Sequence, residues 1–198
     1  MIKNHIDYWQ DVKNATMVTI NKMRGRYPDS EWKLRLLLSE HSPIRKIKIN
    51  YIWLGLKSWV SVHYTRHSVG ISHFVSTSRT DRTGIDRDKL PQSNPVNHEF
   101  EANAQAIINI SQKRLCFQAS KDTTDAWIKF LEDLKEVEPD LYQVCVPSCI
   151  YRCGCPEVFG CPFFAKFSED ISKYDLLDIK TRYSIYIKNR EIDYDKTR

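Results

Sequence analysis

The run PIRKIKINYIW, residues 43–53, constrains the fold more than any other stretch of the chain. Ile47, Ile49, Tyr51 and Trp53 fall on one side of an extended backbone, and Lys46, Lys48 and Asn50 fall on the other. A period of two puts alternate side chains on opposite faces, so the run predicts a half-buried strand whose apolar face needs covering. Asp29 or Ser30 can cap a helix through SEWKLRLLLSE, where Trp32, Leu36 and Leu37 or Leu38 recur at helical spacing. LKSWVSVHYTRH predicts a second helix, with Trp59, Val62, His63 and Arg66 on one face. NHEFEANAQAIINISQKRLC (97–116) predicts a long helix capped by Asn97, and SKDTTDAWIKFLEDLKEV another that stops before Pro139. ATMVTINK (15–22) and VGISHFV (69–75) favour extended structure, and TDRTGIDRDKLPQSNP is a turn-rich loop. In ISKYDLLDIKTRYSIYIKNREI (171–192) short apolar runs mix with charge, and periodicity assigns neither state. The expected class is therefore α/β (α+β), a central sheet flanked by helices.

No repeat, low-complexity tract or linker divides the 198 residues, so residues 1–198 are expected to form one domain. The N-terminal MIKNHIDYWQDVK lacks the apolar segment of a secretory signal, and no apolar run approaches the roughly 20 residues of a membrane span. A cytoplasmic protein with no membrane partner is expected. The net charge of +5 suits an anionic ligand, and the absence of a long Lys/Arg run argues against a nucleic-acid tail.

Five cysteines, Cys145, Cys149, Cys153, Cys155 and Cys161, crowd into CVPSCIYRCGCPEVFGC. Without an export signal, structural disulfides are not the expected reading. The spacing lacks the paired knuckles of a zinc ribbon. Four closely placed thiolates can still take zinc or iron, and free buried cysteines are the alternative.

Arg66, Arg79, Arg82 and Arg87 lie within 22 residues, among Ser76, Thr77, Ser78 and Thr80. Guanidinium groups match phosphate oxygens bidentately and hydroxyls complete the cage, although a solvated loop has the same composition. His63 and His67 stand four apart, a spacing open to metal or to ligand hydrogen bonding. Asn103 and Arg114 are eleven apart, three helical turns, with Ile107 and Ile110 between them on the same face. Such a face can lie against a flat ring system or belong to an ordinary core helix. His73 receives no role.

From about His41 to Tyr142, four short motifs in order resemble the flavin-dependent thymidylate synthases. Glu40-His41 looks like that family's E-H. RHSVGISHFVS is similar to its signature R-H-R, seven residues, then S, on Arg66, His67 and Ser76. DRDKLP is similar to A-R-x-x-L-P, with Arg87 on the arginine. NAQAIINISQKRLCFQASKD resembles the helix that carries Asn103, Arg114 and Ala119. The resemblance implies an α/β fold, a homotetramer and reductive methylation of dUMP to dTMP. Methylenetetrahydrofolate would supply the carbon, NADPH the reducing equivalents and bound FAD the hydride. It places His41, His63, Arg66, His67 and Asn103 near FAD or folate. It places Ser76, Ser78, Arg79 and Arg87 on the dUMP phosphate, and Arg114 facing the uracil as the catalytic cation.

The chain also departs from the pattern. Ser68 replaces the second arginine of the signature, and His63 stands where a glutamine is usual. The stretch between Arg79 and Arg87 is short, the arginine after the serine sits one residue later than usual so that Ser78 can be the motif serine's true counterpart, and Ser120 follows Ala119. Two further readings stay open: a flavin enzyme that installs a different group, such as hydroxymethyl, and a non-catalytic nucleotide- or metal-binding relative.

Overall fold

The computed structural model describes the backbone of residues 1–196 and the side chains of residues 1–190. The last two residues of the expected 1–198 domain lie outside the described ones. Four antiparallel strands form one sheet in the order β1-β2-β4-β3, where β1 is Ile2–Lys3, β2 is Lys48–Lys57, β3 is Ile71–Val75 and β4 is Pro95–Asn103. The register opposes Ile49 to Ala102, Tyr51 to Phe100 and Trp53 to His98 across β2 and β4. It opposes His73 to Phe100 across β3 and β4. Opposed residues share a face, so all of these line the inner side. The outer side is polar, with Lys48 paired to Glu101 and Lys3 paired to Glu99 across strands. Between Trp53 and Leu56 the register slips at a bulge, and Gly55 there has φ 68°, a conformation glycine adopts without a Cβ clash.

The inner face is buried under the Lys121–Val137 helix, which lays Trp127, Phe130, Leu131 and Leu134 across it. Their spacing of three and four keeps them on one side of the helix. Trp53 stacks on Tyr64 at 4.6 Å, Tyr51 meets Phe130 edge-on at 4.9 Å, and Trp127 lies 4.6 Å from Phe130. These rings, with Phe100, form the centre of a core that runs from Trp9 to Ile187.

Several expectations hold. The run at 43–53 gives a 3-10 turn, Ser42–Lys46, and then β2, with Ile47, Ile49, Tyr51 and Trp53 buried. The Ser30–Leu38 helix is capped by Asp29, whose carboxylate accepts from the Trp32 amide at 2.8 Å. Others are corrected. ATMVTINK does not form a strand; its first residues end the Trp9–Val18 helix, and Val18 and Ile20 are exposed. With Trp9 and Val12 buried on the helix, no sheet edge claims the β-branched residues that follow, and local propensity is overridden. The predicted 97–116 helix is a strand followed by a helix: β4 ends at Asn103, and Ala104–Arg114 is helical. Val96, His98, Phe100 and Ala102 alternate inward, and the cap is Asn103, not Asn97. The Ser58–Thr65 helix turns Val60, Ser61 and Tyr64 into the core and leaves Val62 exposed, so its buried face differs from the expected one. Residues 171–192 are helical through Lys173–Leu177 and Ile179–Lys196. None of the described helices is long and apolar enough to cross a membrane.

Candidate active site

The site is assembled where the end of the Ser58–Thr65 helix meets the Ala104–Arg114 helix. The chain leaves the first helix at Arg66, and the His67 amide bonds back to the Tyr64 carbonyl at 2.9 Å. It then turns at Gly70, which has φ 73°. A Cβ at Gly70 would stand 2.6 Å from Asn103 Nδ2, so both the backbone angle and the neighbour require glycine. The Asn103 amide donates to the Gly70 carbonyl at 2.9 Å, and Asn103 Oδ1 caps its own helix by accepting from the Ala106 amide at 2.9 Å. Eleven residues on, Arg114 reaches the same turn from the other helix end. Its Nε donates to His67 Nε2 at 3.0 Å and its Nη2 to the His63 carbonyl at 2.6 Å.

The guanidinium also lies 5.9 Å over the Tyr64 ring, and the Arg114 carbonyl accepts from Thr124 Oγ1 at 2.9 Å. Ile107 and Ile110 are buried between the two helix ends. Arg114 is thus held at a fixed angle by two parts of the 63–67 segment. Its charge shapes its surroundings. Burial, reinforced by Arg114 and His73, pushes the His67 imidazole down to about 4, and Arg114 and Arg66 add to the burial that lowers His63. Both rings are therefore neutral near pH 7. Because Arg114 can only donate, His67 Nε2 is an acceptor and the His67 proton resides on Nδ1.

The other expected residues are placed more loosely. Arg66 is exposed beside Arg114. Ser76 pairs with Asn97 through its amide at 2.9 Å and its hydroxyl at 3.0 Å. Arg79 and Arg87 lie exposed on the following loop, and Arg79 is held bidentately by Asp81 at 2.6 and 2.9 Å. Ser78 is half-buried there. His41 is exposed at the start of the 3-10 turn, beside Glu40, which accepts from Gln105. His63 Nδ1 lies 3.2 Å from Thr123 Oγ1.

The metal candidates are not brought together as expected. His67 spends Nε2 on Arg114, so the His63–His67 spacing is not a metal pair. Cys145 is buried with Sγ donating to the Leu141 carbonyl, and Cys153 Sγ donates to the Leu176 carbonyl. Cys149, Cys155 and Cys161 instead share a small cavity with Cys116, Phe117, Phe163 and Phe164. Among the described residues, no group of three or more His, Cys, Asp or Glu is arranged to hold a metal ion. Two residues beside the site escaped the sequence reading: His98 and Ser61, both buried. The signal for His98 was present in the alternation of Val96, His98, Phe100 and Ala102, which the helical pattern downstream masked.

No family model matches the chain, and no curated protein matches it in sequence. Solved structures do match it in shape. The flavin-dependent thymidylate synthase ThyX of Helicobacter pylori, complexed with FAD and dUMP, superposes with a TM-score of 0.61 at 14% identity, over 74% of this chain and 98% of that one. A second structure of that enzyme with the same ligands gives 0.60 at 15% identity, over 74% and 97%. A UMP/dUMP methylase, PolB of Streptomyces cacaoi, bound with 5-Br dUMP, gives 0.57 at 11% identity, over 72% and 92%. The chain therefore has the fold of the flavin-dependent thymidylate synthases, a mixed helix-and-sheet architecture, as the sequence resemblance led one to expect.

Proposed function

We propose that this chain is a flavin-dependent methylating enzyme acting on a pyrimidine 5′-monophosphate, converting dUMP to dTMP. The carbon would come from methylenetetrahydrofolate and the reducing equivalents from NADPH. The observation that carries the reading is the meeting of Arg114 with the 63–67 segment. Two stretches of sequence 47 residues apart, each matched to a family motif, join through a 3.0 Å hydrogen bond. Fold likeness to proteins solved with dUMP or a brominated dUMP supports the same substrate class.

The donor set fits the ligands this reading requires. Exposed Arg66, Arg79 and Arg87, with Ser76 and Ser78, form an electropositive, hydroxyl-lined segment suited to a phosphate dianion. Asp81 must release Arg79, an exchange of one surface ion pair for a stronger charge-assisted one. FAD, when bound, supplies the hydride that a protein side chain cannot. His41, Arg66 and His67 would hold it, with His63 through Nε2 and Asn103 through Nδ2, since the other polar atom of each is already engaged. No nucleophile is required of the chain. Arg114, aimed by His67 and the His63 carbonyl, would stabilise the negative charge that develops on the pyrimidine ring. Its orientation is fixed beforehand, so no reorganisation is needed during the reaction.

The reading extends to one domain, a homotetramer and a cytoplasmic setting. It is tested by incubating purified protein with FAD, dUMP, NADPH and methylenetetrahydrofolate. The product should gain one methylene unit in mass, and Arg114→Ala should slow the gain by about 10²–10³. A second product is favoured by Ser68, an uncharged residue exposed where the family signature has arginine. A hydroxymethylated nucleotide differs by one oxygen and would be recognised in the same spectrum.

A further inference from the structure

His73 lies in the middle of β3 opposite Phe100, and His98 lies on β4 opposite Val75, both on the inner face. His73 Nε2 is 2.8 Å from the His67 carbonyl, and His73 Nδ1 is 2.9 Å from His98 Nε2. His98 Nδ1 is in turn 2.9 Å from Ser61 Oγ. A carbonyl can only accept, so His73 must carry its proton on Nε2. With neutral rings the rest of the chain follows from that atom. His73 Nδ1 is bare and accepts from His98 Nε2–H, which leaves His98 Nδ1 bare to accept from the Ser61 hydroxyl. Ser61 and His98 are buried, and burial pushes the His98 imidazole down to about 4, which keeps it neutral at physiological pH.

The geometry points to His73 and His98 as positioning residues: Ser61, His98 and His73 form a directional hydrogen-bond chain that ends on the His67 carbonyl and thereby aims Arg114. The carbonyl of His67 is fixed by His73, its amide by Tyr64, and its Nε2 receives Arg114. A turn held at its carbonyl and its amide keeps the His67 Cα–Cβ bond directed toward the guanidinium, and the Arg114 bond then sets the imidazole's rotation. The inference rests on the proposed role of Arg114 only for its catalytic meaning; the chain itself is a property of the fold.

Two substitutions at position 73 differ in side-chain reach, and that separates an aiming role from mere filling of space. An asparagine at 73 keeps a polar atom near the Nδ1 position but cannot reach the His67 carbonyl. A glutamine places its amide N–H near the Nε2 position and can. The test is a long-range proton–nitrogen correlation spectrum of the full chain labelled at histidine and arginine, recorded on the wild type, His73→Gln and His73→Asn. The wild type should show His67 as the Nδ1–H tautomer and both His73 and His98 as Nε2–H. The exchange-protected Arg114 Nε–H signal should persist in His73→Gln and be lost or broadened in His73→Asn, while thermal unfolding shows both variants folded. If turnover of dUMP is present, kcat should fall about tenfold or more in His73→Asn and stay within about threefold in His73→Gln, the divide between tenfold and threefold being about 0.7 kcal/mol. An Nε2–H tautomer at His67, or an Arg114 signal that responds equally to both variants, overturns the inference. Absence of turnover with the expected tautomers and the expected Arg114 response contradicts the proposed reaction and leaves the chain standing.

Discussion

Two polar networks border the same aromatic core, and they are built on opposite terms. Around Arg114, with Arg66 beside it, there is no carboxylate partner among the described residues: its bonds go to a neutral imidazole and a carbonyl. At the other network Glu138, 2% exposed, accepts from Trp9 Nε1 at 2.8 Å and lies 3.4 Å from His5 Nε2. Asp140 accepts from the Ser30 hydroxyl and faces Lys33 at 3.9 Å, and Asp7 accepts from the Tyr27 hydroxyl at 2.6 Å. Three carboxylates there are set against one lysine and one histidine. Burial pushes Glu138 up to about 7, and His5 Nδ1 is buried without a partner among the described residues. The first network aims a cation. The second ties the N-terminal segment and the 27–33 region to the end of the Lys121–Val137 helix, joining residues 129 apart in sequence.

The largest effect should come from breaking what both networks lean on. Trp127 is fully buried against Trp53, Tyr64, Phe100 and Phe130, and its indole N–H donates to Ser111 Oγ at 3.0 Å. Trp127→Ala should cost about 3–5 kcal/mol in denaturant unfolding. Next, Arg114→Ala should reduce kcat on dUMP by about 10²–10³, the range for removing one preorganised donor to a developing anion, with a much smaller loss of stability.

Glu138→Gln sharpens the contrast by its pH dependence. Burial raises the folded-state value from the ordinary 4.5 of a glutamate to about 7, so the wild type loses stability as pH rises from 4.5 through about 7. At about 1.4 kcal/mol per unit, up to about 3 kcal/mol is at stake. The variant should therefore gain on the wild type in Tm most above pH 7, and the advantage should shrink as pH falls toward 4.5. An advantage independent of pH would remove Glu138 from its place in the account. The smallest effect is expected at Gly70→Ala, where positive φ and the Asn103 contact together cost about 1–3 kcal/mol. Its signature should be a loss of turnover that exceeds the loss of stability, because the strain falls on the Arg66–Gly70 turn.

The parts of this molecule that were legible in sequence are those where one period runs unbroken. The period of two at 47–53 and the spacing of Trp127, Phe130, Leu131 and Leu134 announced β2 and its covering helix. β4 was hidden because good helix formers follow Asn103 directly, and the strand's own alternation is only four residues deep. The union of Arg114 with His67 was half legible, through motif order and the shared face with Asn103. What could not be read was the pairing of β3 with β4, because register is a tertiary property that no local pattern carries. His73 had no role without it, and His98 was assigned to the wrong element. Cys116 likewise lies 29 residues before the cysteine cluster, and only the fold brings it to the cavity that Cys149, Cys155 and Cys161 line.

The most direct test of the central claim is the mass of the nucleotide recovered after the purified chain is supplied with FAD, NADPH, methylenetetrahydrofolate and dUMP. The account predicts conversion to a product heavier by one methylene unit, slowed by about 10²–10³ in Arg114→Ala. Recovery of unchanged dUMP from folded, flavin-loaded wild-type protein would contradict it.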